Sequence, residues 1–78
     1  MNTVIDDKVK SVLSNVFGID CALITEETSP DTVEKWDSLG HMNLVFALEE
    51  EFNIQFNETQ IIEMMNYPLI LCVLKEII

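Results

Sequence analysis

The stretch that most constrains this chain is WDSLGHMNLVFALEEEF, Trp36–Phe52. It reads as a helix with Asp37 and Ser38 at its start, and it is apolar on nearly every side. Turning successive residues by about 100° sorts them into two groups. Leu44, Val45, Leu48 and Phe52 share one side, as a core stripe would. Leu39, Met42 and Phe46 share the opposite side with Asn43, Glu49 and Glu50. A chain of 78 residues is one thin domain that buries only about 60% of its unfolded surface, so both sides cannot be fully covered. Apolar anchors mixed with carboxylates make a surface suited to docking a partner. The alternative is that Met42 and Phe46 pack under a loop, since apolar stripes are usually core.

The remaining sequence supplies a layout for that helix. Residues 3–17 place Val4, Ile5, Val9, Val12, Leu13 and Val16 at helical spacing, and Gly18 follows as a stop. Residues 18–37 form a long acidic connection that Ile19, Leu23, Ile24, Val33 and Trp36 should pin to the core, with room for a helical turn near Ala22–Ile24. The second helix runs from Ser38 to Phe52 with Asp37 as N-cap. NIQF leads out as an extended link, and NETQIIEMM gives a short third helix capped by Asn57. Pro68 suits the first turn of a fourth helix reaching Ile78, with Leu69, Val73, Leu74 and Ile77 inward. The expected fold is all-α: a small four-helix bundle, three longer helices and a short third one, with a long loop between helices one and two. Residues 1–78 make a single domain.

Composition narrows the partners. Fourteen acidic residues against four lysines and no arginine give a net charge of −10. Nucleic acid is a poor partner for such a chain, because phosphate contacts need clustered cations. An anionic membrane would repel it, whereas a basic protein surface would attract it. PLILCVLKEII is too short to span a bilayer and is interrupted by Lys75 and Glu76, so no membrane insertion is expected. MNTVIDDKVK lacks the apolar run of a signal peptide. Two cysteines without CxxC or metal spacing read as reduced thiols in a cytoplasmic protein, with Cys72 buried in the apolar fourth helix and Cys21 in the loop. Asp20, Glu26, Glu27 and Asp31 lack the spacing and glycine of a calcium loop and read as a solvated acidic loop, so no metal site is expected. An acidic bundle of this size is expected to be a monomer.

Asp37, Ser38 and His41 do not make a catalytic set. A serine nucleophile needs an oriented base, an oxyanion hole and a pocket, and no GxSxG elbow is present. No enzymatic activity is expected. Two readings of Ser38 stand on physical grounds. It caps the helix, or it carries a phosphate group that the free N–H groups and the dipole of a helix N-terminus would accommodate.

DSLGHMNLVFALEEEF resembles the attachment motif of the acyl carrier proteins, whose core is Asp-Ser-Leu. The amphipathic first helix, long acidic loop, short third helix and final helix resemble that family too, so the likeness covers essentially the whole chain. It implies that Ser38 carries covalent 4′-phosphopantetheine, donated from coenzyme A by a phosphopantetheinyl transferase, normally with magnesium. It implies that Asp37 and Leu39 complete the attachment motif, Asp37 capping the helix and helping the transferase bind. It places Leu39, Met42, Asn43, Phe46, Glu49 and Glu50 on a face that docks basic partners, the acyl- or aminoacyl-activating, transferring and synthase enzymes. The thiol of the arm would hold acyl groups as thioesters. Members of the family can also fold the acyl chain between the helices, to which Met64, Met65 and the fourth helix could adapt, unless they are simply core.

Gly40 and Asn43 stand where many fatty-acid carriers have acidic residues. WDSLGH looks more like stand-alone carriers of specialised pathways, including polyketide-type, amino-acyl and sugar-modifying systems, than of housekeeping fatty-acid synthesis. Gly40 should also weaken the first helical turn by up to about 1 kcal/mol relative to alanine. The alternatives are an amino-acyl or peptidyl carrier with the same arm, and an unmodified helical adaptor with the same fold.

Overall fold

Helices form in this chain where apolar spacing and end signals coincide. A computed structural model describes residues 3–77 and contains α1 (Thr3–Phe17), α2 (Ser38–Phe52), α3 (Glu58–Glu63) and α4 (Tyr67–Ile77). No strand is present among the described residues, so the all-helical expectation holds. No helix among them is long and apolar enough to cross a membrane.

The ends are set by side chains and by two left-handed residues. α1 stops at Gly18, whose φ of +66° glycine adopts without steric cost. α2 starts on Asp37, whose Oδ1 accepts from the Gly40 amide at 2.8 Å. It stops at Asn53, with φ of +53°, and the Ile54 amide returns to the Glu49 carbonyl. Asparagine is among the few non-glycine residues that visit this region routinely. α3 carries a full capping box: Asn57 Oδ1 accepts from the Gln60 amide, and Gln60 Oε1 accepts from the Asn57 amide. At the start of α4, Asn66 Oδ1 accepts from the Leu69 amide. Pro68 lies in that first turn, where a missing N–H loses no intrahelical bond.

One apolar cluster holds the helices together. Val9 and Leu13 of α1, Leu44 and Leu48 of α2, Met64, and Ile70 and Leu74 of α4 are closed to solvent. α1 packs on both α2 and α4, and α3 packs on α4.

The connection 18–37 is ordered by its own polar groups. A 3₁₀ turn at Cys21–Leu23 is capped by Asp20, which accepts from the Ala22 amide. Thr28 is buried; its Oγ1 accepts from the Thr25 amide, and its carbonyl accepts from the Tyr67 amide. That last bond ties the connection to the start of α4. Ile24, Val33 and Trp36 then sink into the core.

Several sequence expectations need correction. Val4 is 61% exposed, because the inward stripe of α1 starts at Ile5. Leu23 lies on the outside of its 3₁₀ turn and pins nothing, while neighbouring Ile24 is buried. α3 ends at Glu63 rather than Met65; Met64 is core and Met65 is exposed. In α4 the expected inward residues Val73 and Leu74 are core and Ile77 packs against it, but Ile70 takes the inward place expected for Leu69, and Cys72 faces solvent. Ile78, the expected end of α4, lies outside the described residues.

Candidate attachment site and exposed face

Ser38 is the first residue of α2 and is exposed. The capping bond that its position could have supplied comes from Asp37 instead. Ser38 is therefore not the cap, and it belongs to the first turn of α2, whose backbone N–H groups an α-helix leaves without intrahelical partners. A phosphodiester on Ser38 Oγ would meet the positive end of a helix of 15 residues. The residues present thus fit the phosphate end of the group that the Asp-Ser-Leu motif implies.

Gly40 has a different reason for being glycine than helix flexibility. It is buried, and a Cβ built on it would lie 2.0 Å from the Lys35 carbonyl oxygen and 3.1 Å from the Phe17 ring. The end of the connection runs directly over the first turn of α2, and only a residue without a side chain permits that approach.

Beside Ser38 lies an apolar groove of about 400 Å³. Apolar Pro30, Trp36, Met42, Ile61, Ile62 and Met65 line it, together with His41, Asp37 and Ser38. Trp36 is buried and stacks on Phe17, with ring centroids 5.3 Å apart. Its indole N–H donates to His41 Nδ1 at 2.9 Å, and His41 Nε2 is 2.8 Å from the Ile61 carbonyl oxygen. His41 is thus a structural side chain, as a lone histidine in a helix usually is.

Leu39 (72%), Phe46 (59%), Met42 and Asn43 are exposed on the outer side of α2. Met42 and Phe46 are not covered by the connection. Ile62 (69%) and Met65 extend the apolar area onto α3 and the residues after it, which the helical pattern of α2 alone did not reveal. Glu50 is exposed, whereas Glu49 is half-buried and accepts from the Phe56 amide at 2.9 Å. Glu49 therefore holds the chain where it leaves α2, besides adding charge to this side. Glu49→Ala should lower stability by about 1 kcal/mol through the loss of that bond. Glu50→Ala should leave the melting temperature within about 2–4 °C of the wild type, since exposed changes cost at most about 0.5 kcal/mol. Thermal unfolding of both variants checks the difference.

Charge is distributed unevenly. α1 and α4 are each neutral by residue count, so the entire negative excess lies on the connection, α2 and α3. Three of the four lysines, Lys8, Lys10 and Lys75, are on α1 and α4; Lys35 is in the connection. Among the described residues one ionisable group is clearly displaced: burial, then Asp6 and Asp7, pushes the Tyr67 phenol above its usual 10.0. Asp20, Glu26, Glu27 and Asp31 are all exposed. Cys21 and Cys72 are exposed free thiols. No group of three His, Cys, Asp or Glu side chains with metal-binding geometry occurs among the described residues. No protein-family model matches the chain.

Proposed function

We propose that this protein is an acyl carrier whose Ser38 bears 4′-phosphopantetheine. The observation that carries the reading is the exposed Ser38 in the first turn of α2, relieved of capping by Asp37 and lining an apolar groove. In the loading step, Ser38 Oγ forms a bond to the phosphorus that joins pantetheine to the nucleotide in coenzyme A. The pyrophosphate bond breaks, adenosine 3′,5′-bisphosphate leaves, and the hydroxyl proton passes to the transferase. When attached, the arm supplies a thiol that holds an acyl group as a thioester.

The chain's own residues anchor and address that cargo. Tethering at Ser38 raises the effective concentration of the acyl group at a docked enzyme. Leu39, Met42 and Phe46 offer apolar anchors, and Asn43, Glu49 and Glu50 surround them with polar and negative groups suited to a basic partner surface. Gly40 and Asn43 leave the first half of α2 without acidic residues, which favours a specialised pathway over housekeeping fatty-acid synthesis.

Intact mass tests the proposal. Wild-type protein incubated with a broad-specificity phosphopantetheinyl transferase, magnesium and coenzyme A should gain the mass of one arm. No gain from a transferase that loads a control carrier would leave a helical adaptor as the function. Amino-acid transfer onto the loaded form, without fatty-acyl transfer, would assign an amino-acyl carrier. Phe46→Ala should then slow acyl transfer to a partner enzyme while leaving thermal unfolding within a few degrees of the wild type. A large stability loss with normal transfer would make Phe46 a core residue.

A further inference from the structure

A second cleft, of about 590 Å³, is lined by Asp6 and Lys10 of α1, Glu26 of the connection, and Tyr67, Cys72 and Lys75 of α4. It shares no residue with the groove beside Ser38. We infer that this cleft binds a small acidic peptide disulfide and takes half of it onto Cys72 as a mixed disulfide. The inference is independent of the carrier reading, because no group on Ser38 takes part.

Two polar groups of the cleft lack the partners that buried groups normally have. Tyr67 is only 6% exposed, yet its hydroxyl makes no hydrogen bond among the described residues. Asp6 Oδ1 is closed to solvent and has no partner. The phenol removes itself from water without a bond that would offset the cost, so a ligand that bonds to it restores what folding took away.

The charged groups set the ligand's chemistry. The chain has four lysines and no arginine, and two of those lysines line this cleft. Neither forms an ion pair among the described residues, where the one such pair joins Lys8 to Glu51. Lys10 is half-buried, with Nζ 5.9 Å from the centre of the Tyr67 ring. Lys75 is three residues beyond Cys72 and so shares its side of α4. Two unpaired ammonium groups suit carboxylates. Asp6 and Glu26 balance them by count, which favours a ligand carrying N–H donors as well as carboxylates over a bare anion. A short acidic peptide has both.

Cys72 supplies the reaction. It is exposed, and its thiol makes no hydrogen bond among the described residues. Cys21 differs: its thiol donates to the Lys10 carbonyl at 3.6 Å, and it is not part of the cleft. The Cys72 thiolate attacks one sulfur of the bound disulfide. A bond forms between Cys72 Sγ and that sulfur, and the ligand's own S–S bond breaks. The other half leaves as a thiolate and takes up a proton in place of the one Cys72 lost. The disulfide is the oxidant, and one of its halves departs reduced.

Glutathione disulfide is the probe, and peptide mass mapping is the readout, since it separates adducts on Cys72, on Cys21 and on the segment bearing Ser38. Cys72 should react about tenfold faster than Cys21. With cystamine, a disulfide that has ammonium ends and no carboxylate, that preference should vanish. Comparing two cysteines of one molecule cancels the effect of its net charge of −10. Lys10→Gln combined with Lys75→Gln should cut the glutathione ratio roughly fivefold. Tyr67→Phe should cut it roughly threefold at an unchanged melting temperature, because the hydroxyl serves the ligand and not the fold. Equal rates at the two cysteines, the same preference with cystamine, or a Cys21–Cys72 disulfide in place of the adduct would each overturn the inference. So would a wild-type ratio in Tyr67→Phe or in the double lysine variant. Should a variant not fold, the two wild-type ratios decide alone.

Discussion

Gly40→Ala should unfold about 10–20 °C below the wild type, although alanine is the better helix former. Propensity alone would add up to about 1 kcal/mol of stability. Against that gain, the added methyl would stand 2.0 Å from the Lys35 carbonyl oxygen. That neighbour is backbone, so no change of side-chain rotamer relieves the overlap. The first turn of α2 and the end of the connection must separate, and overpacking of this kind typically costs about 1–3 kcal/mol and occasionally more. An overlap of 2.0 Å with backbone lies at or above the top of that range, about 3–4 kcal/mol. After the propensity gain is subtracted, the net loss is about 2–3 kcal/mol, which in a chain of this length corresponds to the stated change in melting temperature. Trp36 directly follows Lys35, so its emission should move to longer wavelength as the indole loses its contact with Phe17. A melting temperature equal to or above that of the wild type would show that the two segments do not approach so closely.

Ser38→Ala should abolish gain of the arm completely and leave thermal unfolding within about 4 °C of the wild type. The two halves of this prediction come from separate observations. The Ser38 hydroxyl is the proposed attachment point, and it is the Asp37 carboxylate that caps α2. Asp37→Ala should therefore behave differently, losing about 1 kcal/mol through the cap, or roughly 4–8 °C. Intact mass and thermal unfolding on the two variants separate attachment from capping. Arm mass appearing on Ser38→Ala would move the attachment to another side chain. A stability loss in Ser38→Ala rather than in Asp37→Ala would make the serine the cap and deprive it of its freedom.

What the sequence revealed depended on whether an interaction was local. The bounds of α2, its cap on Asp37 and the stop of α1 at Gly18 follow from residues a few positions apart, and they are legible as such. The long connection showed its acidic and turn-forming character, but not that buried Thr28 joins it to Tyr67. Gly40 looked like a weakness in a helix, because the Lys35 carbonyl that requires it approaches only once the chain has turned at Asp37. Glu49 read, with Glu50, as a carboxylate of the docking face; its bond to the Phe56 amide depends on the reversal at Asn53. In α4 the inward stripe was legible at Val73, Leu74 and Ile77, but the apolar residues at its edges were not sorted by spacing alone, so that Leu69 was expected inside in place of Ile70, and Cys72 as well. Trp36 and His41 were each visible, but their pairing and the reach of His41 to α3 required the fold.

The uneven placement of charge has a consequence for the protein's behaviour toward itself. An area containing Leu39, Phe46 and Ile62 would ordinarily make a small protein adhere to its own copies. Here every unbalanced carboxylate lies on the elements that carry or flank that area, while α1 and α4 cancel their own charge. Two molecules approaching patch to patch would bring like fields together, which opposes contact between the apolar side chains. On the proposed reading, the same side would be greasy enough to grip a visitor of opposite sign while resisting its twin, a discrimination that added salt would erode.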